Sequence, residues 1–106
     1  MTMKNTFLVV DTETGGLNCE KSSILSIAGV VWQPRGEITK LFDLYIKEPE
    51  LIVEEKALKV NKIDLNVLNK EGFSPFEAVK RIKVALNNRF GFSRRPIQLV
   101  GHNVAF

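Results

Sequence analysis

Phe7-Leu8-Val9-Val10-Asp11-Thr12-Glu13-Thr14-Gly15-Gly16-Leu17 decides how the rest of the chain is read, because an apolar run stops there at two carboxylates and a glycine pair. Four consecutive apolar residues ahead of Gly15-Gly16 predict a buried strand that ends in a turn. Strand side chains alternate between faces, so Asp11 and Glu13, two positions apart, project to the same side at roughly 7 Å. Carboxylates that close repel each other unless a proton or a cation intervenes, and hard divalent ions such as Mg²⁺ take oxygen ligands of this kind. The same residues also read as a polar turn after a core strand, which on spacing alone is the commoner meaning of the pattern.

Outward from this stretch, residues 18–23 form a polar connection, and Ile24 to Trp32 predicts a second strand rich in β-branched residues. Pro34-Arg35-Gly36 supplies a turn into a third strand over 37–47, where Leu41, Asp43 and Tyr45 alternate with Phe42, Leu44 and Ile46. Short connections make these three strands an antiparallel meander. Beyond Pro49, Glu54 to Val60 predicts a short helix with acids at its start. Ser74-Pro75-Phe76-Glu77 is a stronger start signal, with an N-cap serine, proline at the first position and a capping-box glutamate. Phe76, Val79, Ile82, Leu86 and Phe90 recur at helical spacing and are expected to pack on the sheet. Gly91 ends that helix, and Ile97 to Val100 predicts a fourth strand.

With 106 residues, 44% hydrophobic and 25% charged, the chain supports one globular domain and is neither disordered nor fibrous. No apolar run approaches the roughly 20 residues of a membrane helix, and the first six residues lack the apolar core of a secretion signal. A single cysteine, Cys19, excludes an internal disulfide and fits a reducing, cytoplasmic setting. The net charge of +3 is mild but uneven, since Lys80, Arg81, Lys83, Arg89, Arg94 and Arg95 lie where no acid follows Glu77. Such a segment tracks a phosphate backbone or, more commonly, is the solvated face of a helix.

Asp11-Thr12-Glu13-Thr14-Gly15-Gly16-Leu17 resembles the first motif of the DEDD superfamily of 3′-5′ exonucleases. Gly101-His102-Asn103-Val104-Ala105-Phe106 resembles that family's second motif, in which the phenylalanine is followed directly by a catalytic aspartate; the sequence ends one residue before it. The resemblance implies an α/β, ribonuclease H-like mixed sheet: an antiparallel three-strand meander plus a strand parallel to the first, flanked by helices and C-terminally incomplete. Residues 1–106 would then be the N-terminal part of a single exonuclease domain.

By the same resemblance, Asp11 and Glu13 are catalytic metal ligands for Mg²⁺ or Mn²⁺, two ions in the intact family site. Thr14 and Leu17 contact the terminal nucleotide, and His102 and Asn103 flank the substrate rather than act as a base. The implied function is 3′-5′ hydrolysis of nucleic-acid phosphodiesters in the intact protein, on DNA or RNA with a 3′ end. Half the ligand set predicts an inactive 106-residue chain. A non-catalytic nucleic-acid-binding module of the same fold and an unrelated small α/β domain are the alternatives. Exposed sheet at the fourth strand, through Ile97, Leu99, Val100 and Phe106, predicts self-association.

Overall fold

The computed structural model describes residues 6–18, 20–91 and 97–101. Cys19, Arg94, Arg95, His102, Asn103 and Phe106 lie outside the described residues. In chain order the elements are β1 (Phe7–Thr14), β2 (Ile24–Trp32), β3 (Ile38–Tyr45), α1 (Glu55–Asn61), α2 (Leu65–Glu71), α3 (Pro75–Phe90) and β4 (Gln98–Gly101). They form one four-stranded sheet in the order β3-β2-β1-β4. β1 and β2 pair antiparallel, as do β2 and β3, whereas β4 runs parallel to β1 from Phe7 opposite Gln98 to Val10 opposite Gly101. A parallel neighbour demands a long crossover, and the three helices between β3 and β4 provide it.

β1 carries both carboxylates as strand residues, as the alternation expects, with Asp11 opposite Ala28 and Glu13 opposite Ser26. Backbone pairing tolerates polar side chains on a face that water reaches. β1 departs from the expected buried strand, because Leu8 is buried while Phe7, Val9 and Val10 are half-buried. β3 is shorter than the 37–47 span, and Ile46 instead forms an isolated parallel bridge with Phe73.

Alternation then sorts the sheet into two faces. Leu8 lies opposite Val31, and Gly29 opposite Phe42, so these residues share one side with Leu25. Leu8, Leu25, Val31 and Phe42 are buried, as are Leu68 of α2 and Ala78 of α3, and this side is the core. Phe7, Val9, Asp11 and Glu13 share the other side with Trp32, where nothing described is closed over and Trp32 keeps 38% of its surface in water. Phe7 and Trp32 pack there as a tilted aromatic pair, ring centroids 5.3 Å apart.

α2 has no counterpart in the sequence reading. Its signals are modest: Asp64 caps it by accepting from Asn66 N at 2.8 Å, and Leu68 alone is fully buried. α3 starts where expected, with Ser74 Oγ accepting from Glu77 N at 3.2 Å and Pro75 in the first turn. The Glu77 carboxylate, however, turns to Arg81 Nε at 3.2 Å rather than completing a reciprocal box. The expected stripe is also rotated. Ala78 is buried and Ile82, Leu86 and Phe90 are half-buried, but Phe76 is 78% exposed and Val79 51% exposed. Two positions along a helix is about 200° of rotation, so choosing small Ala78 for the close contact turns Phe76 outward.

Candidate active site

The carboxylate pair stands where β1 leaves the ladder. Asp11 is exposed and Glu13 half-buried, and between Glu13 and Thr14 the β1–β2 register shifts, with Thr14 falling opposite Ile24. Such an irregularity bends a strand and redirects the residues beyond it. Among the described residues neither carboxylate is in an ion pair, and no group of three or more His, Cys, Asp or Glu side chains gathers around them. Two unpaired hard-oxygen donors on one face suit a divalent cation. They are a partial set, since Mg²⁺ demands near-octahedral oxygen coordination.

The glycine pair makes a close approach possible. Gly15 and Gly16 are buried, and neither has the positive φ that would demand glycine for its backbone angle. A Cβ on Gly15 would run into the Ile52 carbonyl oxygen, and one on Gly16 would lie 2.6 Å from Ser22 Oγ. The absent side chains let the end of β1 dock on residues 50–54. Hydrogen bonds then join the two: Gly15 N donates to Ser23 O at 2.8 Å, Ser23 N to Ile52 O at 3.0 Å and Glu54 N to Gly15 O at 2.6 Å. Ser23 is 1% exposed, and its hydroxyl accepts from Ile52 N at 2.7 Å. Asn18 shapes the intervening loop, its Oδ1 accepting from Glu20 N and Lys21 N at 2.9 and 3.1 Å.

This docking brings α1 to the end of β1 and leaves an open cleft of about 290 Å³ between them. On one side it is lined by Thr12, Glu13, Thr14, Gly16 and Leu17, and on the other by Glu54, Lys56, Ala57, Val60 and Asn61. Thr14 Oγ1 donates to Gly16 O at 2.9 Å, which fixes its side chain within the turn. Leu17 and Val60 are 90% and 84% exposed, so two large apolar side chains face water at the cleft. Exposed apolar surface inside a concavity suits the flat, weakly polar face of a ligand.

Of the residues singled out from sequence, Glu13, Thr14 and Leu17 therefore meet at one cleft, and Asp11 shares Glu13's face of β1. His102 and Asn103 fall outside the described residues. The α1 wall carried no site signal in the sequence, because its residues reach the cleft only through the docking of residues 50–54. In the basic segment, Arg81 is engaged twice, by Glu77 and by stacking 4.1 Å above the Phe73 ring, and Arg89 lies over the ring of Phe90. These contacts make them parts of a helix surface.

Solved structures share the fold. The chain is similar to a full-length 3′-exonuclease at a TM-score of 0.72 and 13% identity, covering 92% of this chain and 45% of that one. It is similar to cell-death related nuclease 4 at a TM-score of 0.73 and 15% identity, covering 92% of this chain and 34% of that one. A moderately thermophilic exonuclease I from Methylocaldum szegediense matches at a TM-score of 0.67 and 19% identity, with coverage of 92% and 20%. The chain thus spans less than half the length of each of these structures. No curated protein sequence matches it significantly. The architecture is the ribonuclease H-like mixed sheet with a parallel β1–β4 pair. A match that runs over residues 8–106 shows that the chain belongs to the RNase_T exonuclease family.

Proposed function

We propose that this domain acts on the 3′ end of nucleic acid, with Asp11 and Glu13 holding divalent metal and the neighbouring cleft taking the terminal nucleotide. The observation that carries the reading is the placement of Glu13, Thr14 and Leu17 along one open cleft, with Asp11 on Glu13's face. Bound Mg²⁺ or Mn²⁺, two ions in the full family site, would supply activation of water and charge neutralisation at the scissile phosphodiester. Asp11 and Glu13 hold and orient; Leu17 offers an apolar contact to the terminal base, and Thr14 offers its turn. His102 and Asn103 are assigned by motif alone to the substrate's flank. One cysteine in 106 residues supports a reducing, cytoplasmic setting.

The ligand count separates binding from turnover. Two carboxylates do not preorganise two ions for in-line attack, so the 106-residue chain is expected to bind without cleaving. The same observation favours, as a second reading, a nucleic-acid-binding module of this fold without catalysis. A fluorescent oligonucleotide with a free 3′ hydroxyl, compared with a 3′-phosphorylated one, tests both points in Mg²⁺. Tighter binding of the free end, with no trimming, is the expected result. Equal binding of the two ends would contradict the reading of the cleft, and trimming lost in Glu13→Gln would contradict the inactivity of this chain.

Self-association is the remaining expectation. β4 is the last strand in the sheet order, and Ile97, Leu99 and Val100 are 38%, 63% and 41% exposed. An open strand edge beside exposed apolar side chains favours pairing with another copy. Light scattering across a concentration series should show mass rising with concentration, and a constant monomer mass would contradict it.

A further inference from the structure

The α1 wall of the cleft is lightly held. None of its residues is buried. A helix this short does not persist in water without tertiary support. Its two ends are tied to the end of β1 by hydrogen bonds of different kinds. At the start, Glu54 N donates to the Gly15 carbonyl at 2.6 Å. At the finish, Asn61 Nδ2 donates to the Thr14 carbonyl at 3.1 Å, a side-chain contact between residues 47 apart in the chain. That carbonyl belongs to the residue at which the β1–β2 register shifts, immediately after Glu13.

The Asn61 amide has one workable orientation. Its Oδ1 accepts from Ile63 N at 3.1 Å while its Nδ2 donates to Thr14. Turning the amide over would set oxygen against oxygen at Thr14 and N–H against N–H at Ile63. Lys62, at φ 58°, turns the chain so that Ile63 N can reach back. Asn61 is thus held from both sides, and it also lines the cleft.

We propose that Asn61 is a positioning residue of this site: its bond to the Thr14 carbonyl fixes the α1 wall relative to the strand that carries Glu13. The role rests on the cleft being the seat of the terminal nucleotide. Without that bond, α1 is tied by its Glu54 end, and Lys56, Ala57 and Val60 lose their fixed distance from Leu17. A ligand held between the two walls then has to order α1 as it binds, which lowers its affinity.

The test combines amide hydrogen exchange with titration by adenosine and deoxyadenosine 5′-monophosphate in Mg²⁺, on the 106-residue chain. Asn61→Leu nearly preserves shape and adds no charge while removing the donor; Asn61→Ala is the second variant, for use if the leucine accelerates exchange throughout β2. The expected result is α1 exchange about fivefold faster, β2 exchange unchanged and monophosphate affinity about fivefold weaker. Unchanged α1 exchange overturns the proposal, and so does faster α1 exchange with undiminished affinity. A parent chain that takes up neither monophosphate overturns the reading of the cleft, and the role of Asn61 with it. That failure is told apart from failure of the Asn61 tie by the exchange data, which involve no nucleotide.

Discussion

The two faces of the sheet are built from the same strands and do opposite things. On the core side, Leu8, Leu25, Val31 and Phe42 are buried under helices that contribute Leu68 and Ala78. On the other, Asp11 stays exposed beside half-buried Val9 and Glu13. Energetics explain the division: full burial of a leucine-sized side chain contributes about 1.5–3 kcal/mol, whereas burying an unpaired carboxylate costs several. In β1 the alternation therefore puts Leu8 in the core and Asp11 and Glu13 on the open face. A slip of one residue would exchange the two, which is why the long antiparallel register with β2 matters to the site as well as to the fold.

The comparison breaks if substitutions on the two faces behave alike. Leu25→Ala and Leu68→Ala, both at fully buried positions, should each cost about 2–5 kcal/mol in urea unfolding. A cost below about 1 kcal/mol would mean that the helices do not close the core side. Gly15→Ala lies between the faces, since its Cβ would meet the Ile52 carbonyl; about 1–3 kcal/mol should be lost, together with order in α1 by hydrogen exchange. On the open side, Glu13→Gln should shift stability by no more than about 0.5 kcal/mol while weakening divalent-ion binding. Phe76→Ser, at a side chain 78% exposed, should likewise change stability by about 0.5 kcal/mol or less, and a larger loss would show that Phe76 packs after all.

Where local chemistry sufficed, the sequence was legible. Ile24 to Trp32 became β2 with its expected bounds, and Ser74-Pro75 opened α3, because β-branched runs and N-caps act over a few residues. The parallel placement of the fourth strand and the ribonuclease H-like class came from the resemblance and agree with the observed sheet. α2 escaped notice because Leu68 is its sole buried residue, too little for a periodic signal. The rotation of α3 was likewise hidden, since the contact is made by Ala78, a residue whose small size matters only against a neighbouring element. At the site, Asp11 and Glu13 could be placed on one face by strand geometry alone. The opposing wall of Lys56, Ala57, Val60 and Asn61 could not, because it depends on Gly15 meeting residues 50–54, far away in sequence.

The role proposed for Asp11 and Glu13 is to hold a divalent cation on the open face of the sheet. Water-proton relaxation with Mn²⁺ tests it most directly, comparing the parent chain with Asp11→Asn. Weak binding by the parent, competed by Mg²⁺ and abolished in the variant, is the predicted result. Equal binding by the two proteins would contradict the account, because the ion would then sit elsewhere than on this pair of carboxylates.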